Sequence, residues 1–133
     1  MEVLTGRTIY HGNVEGEVLY SDAPIGFFGH VDIETGVIKE PGHPLEGQSI
    51  ADKVSVFPSG KGSTVGSYIL YALKKRGKAP LAFIMKDCEL IVAVGAIISE
   101  IAGIDQIDIT KFKTGDRVRI EGNQIVIEET NFH

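Results

Sequence analysis

The stretch that decides the fold is residues 54–68, VSVFPSGKGSTVGSY, in which an apolar run leads into a glycine-rich segment and then into an amphipathic one. Residues 54–58 have the β-branched and aromatic character that is typical of a strand. In residues 64–76 the apolar positions recur at helical spacing, and Gly77 stands where a C-terminal cap is expected. The sequence therefore predicts a strand, a glycine-rich loop and a helix in succession.

The residues that follow this unit predict further strands and one ambiguous segment. Residues 81–85, LAFIM, form a continuous apolar run that indicates a strand buried on both faces beside the first. Residues 89–101 suit either a short helix or a strand, and their length and alanine content favour the helix. Residues 116–120 and 124–128 alternate in polarity around a glycine-containing turn, so they predict a hairpin.

The N-terminal third has the pattern of short strands followed by a long connection. Residues 8–10 and 16–20 are typical of strands, whereas residues 24–47 are rich in glycine and proline. We expect the connection to be ordered, because it also carries apolar residues that can hold it against a core. Together these patterns predict an α/β fold, and the length of 133 residues fits one domain spanning residues 1–133.

Composition excludes several classes of function. The net charge of −5 argues against a nucleic-acid-binding protein, and the basic cluster at residues 74–78 suits the C-terminal end of a helix. Cys88 is the only cysteine, so the chain alone can form no disulfide and hold no iron–sulfur cluster. The four histidines match no compact metal-ligand spacing, and no signal-peptide or membrane-spanning pattern is present. We expect a cytoplasmic protein with no metal site of its own and no membrane partner.

The glycine-rich segment is a candidate anion site, because unpaired backbone amides at a helix start attract negative charge. It is not a nucleotide-binding P-loop, since Lys61 precedes Gly62 and no glycine lies at the required distance upstream. On spacing alone, Ser63 or Thr64 is more simply explained as a helix N-cap. Cys88 is not expected to be a catalytic thiol, because both of its sequence neighbours are acidic.

The ungapped run at residues 56–68, with KRGKAP at residues 75–80, closely resembles the small-subunit signature of the aconitase X family. Upstream, FGHVD at residues 28–32 and HPL at residues 43–45 are similar to the same family, so the resemblance extends over nearly the whole chain. One departure is His30, where the family pattern has a glycine.

This resemblance implies a swivelling β/β/α domain, like the fourth domain of aconitase, that closes over a large partner subunit carrying a [4Fe-4S] cluster. It implies that Ser63 is the proton acceptor of a hydro-lyase, removing the proton α to a carboxylate while iron assists departure of the hydroxyl. Archaeal two-chain members of the family dehydrate (R)-5-phosphomevalonate to trans-anhydromevalonate 5-phosphate in a modified mevalonate pathway to isoprenoids. Alternatives are a hydroxyproline dehydratase subunit, as in bacterial relatives, or a non-catalytic anion-binding module.

Six further positions are expected to bind substrate: Gly60, Lys61, Gly62, Thr64, Asp32 and His43. The first four belong to the glycine-rich segment, and the last two belong to the upstream family-like segment. An equally good reading of Asp32 is that it caps a turn.

Ser63 needs help to act as a base. A serine hydroxyl has a pKa well above the value of about 10 for tyrosine, so ionising it near neutrality costs more than roughly 4 kcal/mol. A helix N-terminus supplies only about 0.3–2 kcal/mol. We therefore expect Ser63 to be inert in the isolated chain and to become a base only when a partner closes over it.

Overall fold

The computed structural model describes residues 2–27, 30–61 and 66–128. The strands are β1 (Glu2–Thr5), β2 (Arg7–Tyr10), β3 (Asn13–Tyr20), β4 (Ile25–Gly26), β5 (Val54–Phe57), β6 (Gly60–Lys61), β7 (Ala82–Met85), β8 (Ala102–Asp105), β9 (Arg117–Glu121) and β10 (Gln124–Ile127). The helices are α1 (Gly66–Lys75) and α2 (Leu90–Ser99), with a 3₁₀ turn at Ile109–Lys111.

The main sheet is barrel-like, because its two outermost strands are consecutive in the chain. The strand order is β1-β10-β9-β3-β5-β7-β8-β2, and only Gly6 separates β1 from β2. The Gly6 amide donates to the carbonyl of Asn123 at 2.9 Å. A Cβ at Gly6 would lie 2.5 Å from the carbonyl oxygen of Asp105, so only glycine allows the chain to pass from one end of the sheet to the other here.

The part of the sheet that carries the helices is parallel. Strand β5 pairs with β3 and β7, and β7 pairs with β8, all in parallel register. Helix α1 connects β5 to β7 through β6, and α2 connects β7 to β8. The helices pack closely at Gly95, where a Cβ would lie 3.3 Å from the Cα of Ser67 and would overlap the side chain of Leu70.

Two apolar clusters lie on opposite faces of this sheet. One joins the helices to the sheet and contains Leu70, Leu73, Val92 and Ala96 together with a group of aromatic rings. The other lies under β9 and β10 and includes Phe112. The result is a β/β/α layering in which the ends of β5 and β7 meet the starts of α1 and α2.

The aromatic group consists of Phe27, Phe57 and Phe83, whose rings meet edge to face with centroids 5.6–6.1 Å apart. Phe27 is only 2% exposed, and it packs beside the start of α1, since a Cβ on Gly66 would lie 3.8 Å from the Phe27 Cβ. Its neighbour Phe28 lies outside the described residues.

The main sequence predictions of secondary structure are confirmed. Strands β5 and β7 are buried neighbours, the β9–β10 hairpin turns at the expected residues, and the segment at 89–101 contains a helix. The long connection is ordered over its described residues, with bridges from Val31 to Ile38 and from Val37 to Ser49. Strands β1, β4, β6 and β8 were not predicted, and β4 and β6 lie where the sequence predicted a connection and a loop.

Candidate functional site

The approach to the glycine-rich segment is held as a short strand. The β6 strand pairs in parallel with β4, which places Ile25 opposite Gly60 and Gly26 opposite Lys61. The Ile25 amide also donates to the carbonyl of Ser59 at 3.2 Å. The side chain of Lys61 and the whole of Gly62, Ser63 and Thr64 lie outside the described residues, so their assigned roles stay predictions.

Gly60 lies against the N-terminus of α2. Glu89 caps this helix, and its carboxylate accepts hydrogen bonds from the amides of Ile91 at 2.9 Å and Val92 at 3.1 Å. A Cβ on Gly60 would lie 2.5 Å from the Glu89 Oε1 and closer still to a methyl group of Val92. The glycine is therefore required by close packing against this cap, whether or not its backbone also contacts a ligand.

The other flank, at the start of α1, is fixed to the same turn of α2. The buried hydroxyl of Ser67 donates to the carbonyl of Ile91 at 2.8 Å. A Cβ on Gly66 would lie 3.3 Å from the Ile91 Cγ2. Both described flanks of residues 62–65 thus rest on the first turn of α2, where the Glu89 carboxylate already accepts hydrogen bonds from the amides of Ile91 and Val92.

His43 connects the long N-terminal loop to this region. Its ring is buried, its Nδ1 accepts from the Leu45 amide at 3.0 Å, and its Nε2 lies 3.1 Å from the carbonyl oxygen of Pro24. A neutral ring with the proton on Nε2 satisfies both contacts. Pro24 immediately precedes β4, so His43 holds the strand that pairs with Gly60. A direct contact between His43 and substrate would require one of these two bonds to open, and that role stays a prediction.

Asp32 is engaged in a turn. Its carboxylate forms an ion pair with Lys39 at 2.8 Å and accepts from the Glu34 amide at 2.8 Å. The hydrogen bond from Lys39 is the main reason that the pKa of Asp32 is lowered. This geometry matches the turn-capping reading of Asp32, and its role in substrate binding stays a prediction.

An ion pair between the half-exposed Arg7 and the buried Asp105 supports the turn that leads into Glu89. Arg7 donates to both carboxylate oxygens of Asp105, at 2.9 and 2.7 Å, and Asp105 also accepts from the Cys88 amide at 2.9 Å. The Asp105 side chain is 1% exposed. Burial raises its pKa, but the hydrogen bonds from Arg7 and Cys88 outweigh burial and leave the pKa lowered.

Sequence reasoning missed these supporting residues. Arg7 and Asp105 are 98 positions apart, and only the closing of the sheet brings them together. Glu89 carried only a weak signal, since glutamate is not among the residues preferred at an N-cap, although acidic residues are enriched near helix starts.

The side chains of the described residues do not suit an iron–sulfur cluster. Burial, followed by the charges of Asp105 and Glu89, raises the pKa of Cys88 to about 12, so its thiol stays protonated at neutral pH. Cluster ligation needs several thiolates, and this chain has a single cysteine. Over residues 2–27, 30–61 and 66–128, no three histidine, cysteine or acidic residues are grouped so that they could hold a metal ion.

The comparisons with known proteins agree with this architecture. A family model described as the aconitase X swivel domain matches residues 3–128. The chain belongs to this family. The resemblance inferred from the glycine-rich run is confirmed, as is the swivelling β/β/α fold.

Similar proteins cover almost the whole swivel domain. The phosphomevalonate dehydratase small subunit of Thermococcus kodakarensis is 52% identical over 125 residues, which span 94% of each chain. The protein of the same name from Pyrococcus horikoshii is 53% identical over 131 residues, 96% of this chain and 98% of that one. A crystal structure of holo-form aconitase X from Thermococcus kodakaraensis is 50% identical, superposes with a TM-score of 0.95, and covers 97% of this chain and 100% of the matched chain.

The helices in the described part of the chain are too short or too polar to cross a membrane. Both are 10 residues long, whereas a spanning helix needs about 20.

Proposed function

We propose that this chain is the small subunit of a phosphomevalonate dehydratase, a hydro-lyase that converts (R)-5-phosphomevalonate to trans-anhydromevalonate 5-phosphate. The observation that carries the proposal is the identity of 52–53% over nearly the full length to two proteins that bear this name. The signature run at residues 56–68 contains the position assigned to the base, Ser63.

In the proposed reaction Ser63 is the proton acceptor. Its oxygen takes the proton from the carbon next to the substrate carboxylate, and the electron pair forms the carbon–carbon double bond as hydroxide leaves the neighbouring carbon. The hydroxide takes a proton from solvent to become water, and Ser63 returns its proton to solvent, so the base is regenerated. The fixed flanks of residues 62–65 support this assignment, because a base must be held within hydrogen-bond reach of its proton. Gly60, Lys61, Gly62 and Thr64 are proposed to bind the substrate around it, with Asp32 and His43 contributing from the N-terminal loop.

The proposed enzyme needs a large partner subunit. Ionising a serine hydroxyl near neutrality costs more than roughly 4 kcal/mol. The N-terminus of a helix stabilises a negative charge by only about 0.3–2 kcal/mol, so it cannot offset this cost alone. We propose that the partner supplies the remaining positive charge and excludes water when the swivel domain closes. Because this chain offers no suitable thiolates, the [4Fe-4S] cluster is proposed to reside in the partner. The assembly is proposed to work in the cytoplasm, with one swivelling unit formed by residues 1–133.

Anaerobic reconstitution with the large chain tests this function. The complex should dehydrate phosphomevalonate, and neither chain alone should do so. A hydroxyproline substrate serves as the control for substrate class. Turnover of hydroxyproline without turnover of phosphomevalonate would refute the proposed substrate, and turnover by the small chain alone would refute the requirement for a partner.

A further inference from the structure

Helix α2 is apolar on all sides, which is unusual for a helix at a protein surface. Its sequence, LIVAVGAIIS, contains no charged residue. The face toward the sheet is formed by Val92, Gly95, Ala96 and Ser99, all buried. A helix that is apolar all round is normally covered on every side.

The outward stripe of α2 is instead exposed in this chain. Leu90 is 76% exposed, Val94 39%, Ile97 49% and Ile98 45%. These positions follow the spacing i, i+4, i+7 and i+8, so they lie on one side of the helix. Tyr68 of α1, 71% exposed, adds an aromatic ring beside them.

These side chains form one continuous surface. Tyr68, Leu90, Val94 and Ile98, with Ser67 and Ile91, line a groove of about 340 Å³ between the two helices. We call the five exposed residues Tyr68, Leu90, Val94, Ile97 and Ile98 the α1–α2 face. A large side chain has an area of about 150–250 Å², so the exposed fractions of these five residues give the face an accessible area on the order of 500 Å². This is more than half of the roughly 800 Å² that one partner contributes to a stable interface.

The face is continuous with both flanks of the candidate site. Tyr68 follows Gly66 and Ser67, and Leu90 follows Glu89, which packs on Gly60. A polypeptide seated on this face would therefore adjoin both described flanks of the candidate site.

We propose that the α1–α2 face is the docking surface for the large subunit, with Tyr68 and Leu90 as its central contacts. This inference rests on the proposed function, because it takes the large chain as the occupant. The partner is expected to present a complementary apolar surface, with polar groups meeting the ends of α2 at Glu89 and Glu100, since stable interfaces have an apolar centre and a polar rim.

Two charge substitutions test the docking surface without disturbing the helix. Leu90→Glu places a negative charge in the first turn of α2, and Ile98→Lys places a positive charge in its last turn, where the helix dipole favours each. The first turn has no acidic residue and the last turn no basic one. Val3→Glu is the matched control, because Val3 is 53% exposed on β1, which pairs with β10.

Biolayer interferometry measures the dissociation constant, Kd, of the complex between the small and large subunits, both purified anaerobically. Thermal melts of each variant check that it is folded. Leu90→Glu and Ile98→Lys should each raise Kd by at least about 30-fold, and Val3→Glu should change it by less than about 2-fold. Unchanged Kd for both helix variants overturns the proposal. The proposal is also overturned if the wild-type chain does not bind the large subunit. It is overturned as well if the chain associates with itself and Leu90→Glu abolishes that self-association but leaves Kd for the large subunit unchanged.

Activity on phosphomevalonate is measured separately on the same complexes at saturating large subunit. If the helix variants weaken assembly but the wild-type complex does not turn over phosphomevalonate, the docking surface stands and the proposed function fails. If the wild-type complex is active and the helix variants bind and turn over normally, the function stands and the docking surface fails.

Discussion

Gly60→Ala probes the contact that joins β6 to the start of α2. The new methyl group would lie 2.5 Å from the Glu89 Oε1 and would overlap a Val92 methyl, so both side chains must move. Overpacking of this kind costs about 1–3 kcal/mol. Weakening the Glu89 cap costs about 0.5–2 kcal/mol more. Alanine also lowers the conformational entropy of the unfolded chain, which offsets about 0.4–1 kcal/mol of this loss. We therefore expect a net loss of about 2 kcal/mol in the free energy of unfolding.

Urea denaturation followed by circular dichroism measures this loss. Gly103→Ala is the matched control, because its Cβ would make an ordinary contact at 3.5 Å with Ile9, and it should change stability by less than about 0.5 kcal/mol. A Val92→Ala background removes the overlap with the Val92 methyl but leaves the contact with Glu89, so Gly60→Ala should cost about 1 kcal/mol less than it does alone. A Gly60→Ala chain that unfolds at the wild-type urea concentration would refute the close packing of Gly60 on α2.

Further predictions concern the supports of the candidate site. Asp105→Ala removes the partner of Arg7 and of the Cys88 amide and should cost about 2–4 kcal/mol, whereas Asp105→Asn keeps an acceptor and should cost less; equal losses in urea denaturation would contradict this account. The pKa of Asp105 is lower in the folded chain than its unfolded value of about 3.9. Its contribution to the free energy of unfolding is therefore fully present above about pH 3.9 and is lost as the pH falls through the folded pKa. This part of the acid dependence should be absent from Asp105→Asn in thermal melts from pH 6 to 2. With the pKa of Cys88 raised to about 12, its alkylation by iodoacetamide at pH 8 should be about 100-fold slower in the folded chain than in urea, and equal rates would show an ordinary thiol. Gly95→Ala should destabilise by about 1–2 kcal/mol despite alanine's better helix propensity, because the methyl group would strike Leu70; a rise in melting temperature would contradict the packing of the two helices.

The central strands and α1 could be predicted because their signals are local. Residues 81–85 are uniformly apolar, and this composition alone distinguishes a strand buried on both faces from a half-exposed one. The hairpin between β9 and β10 was equally clear, because two runs of alternating polarity flank a glycine-containing turn. In the structure Gly122 has a φ of +64°, which glycine adopts readily.

The missed features depend on contacts between distant residues. Strand β1 is exposed along most of its length and alternates weakly, and it becomes a strand because β10 and the bend at Gly6 place it in the sheet. The Arg7–Asp105 pair has no local pattern at all. The role of His43 in holding Pro24 likewise depends on a loop path that composition does not specify.

The candidate site was recognised from the signature run, whereas its supports became visible only in the structure. A glycine at position 60 suggested a backbone close to an anion, and the structure adds a second reason, its contact with Glu89. The position of Ser63 itself remains a prediction.

The most direct test of the central claim is turnover of phosphomevalonate by the reconstituted complex carrying Ser63→Ala, compared with Ser59→Ala from the same segment. Ser63→Ala should assemble with wild-type affinity and lose at least about 100-fold in kcat, because a positioned base contributes about 10²–10⁴-fold. Ser59→Ala should retain most of the activity. Full turnover by an assembled Ser63→Ala complex would contradict the account.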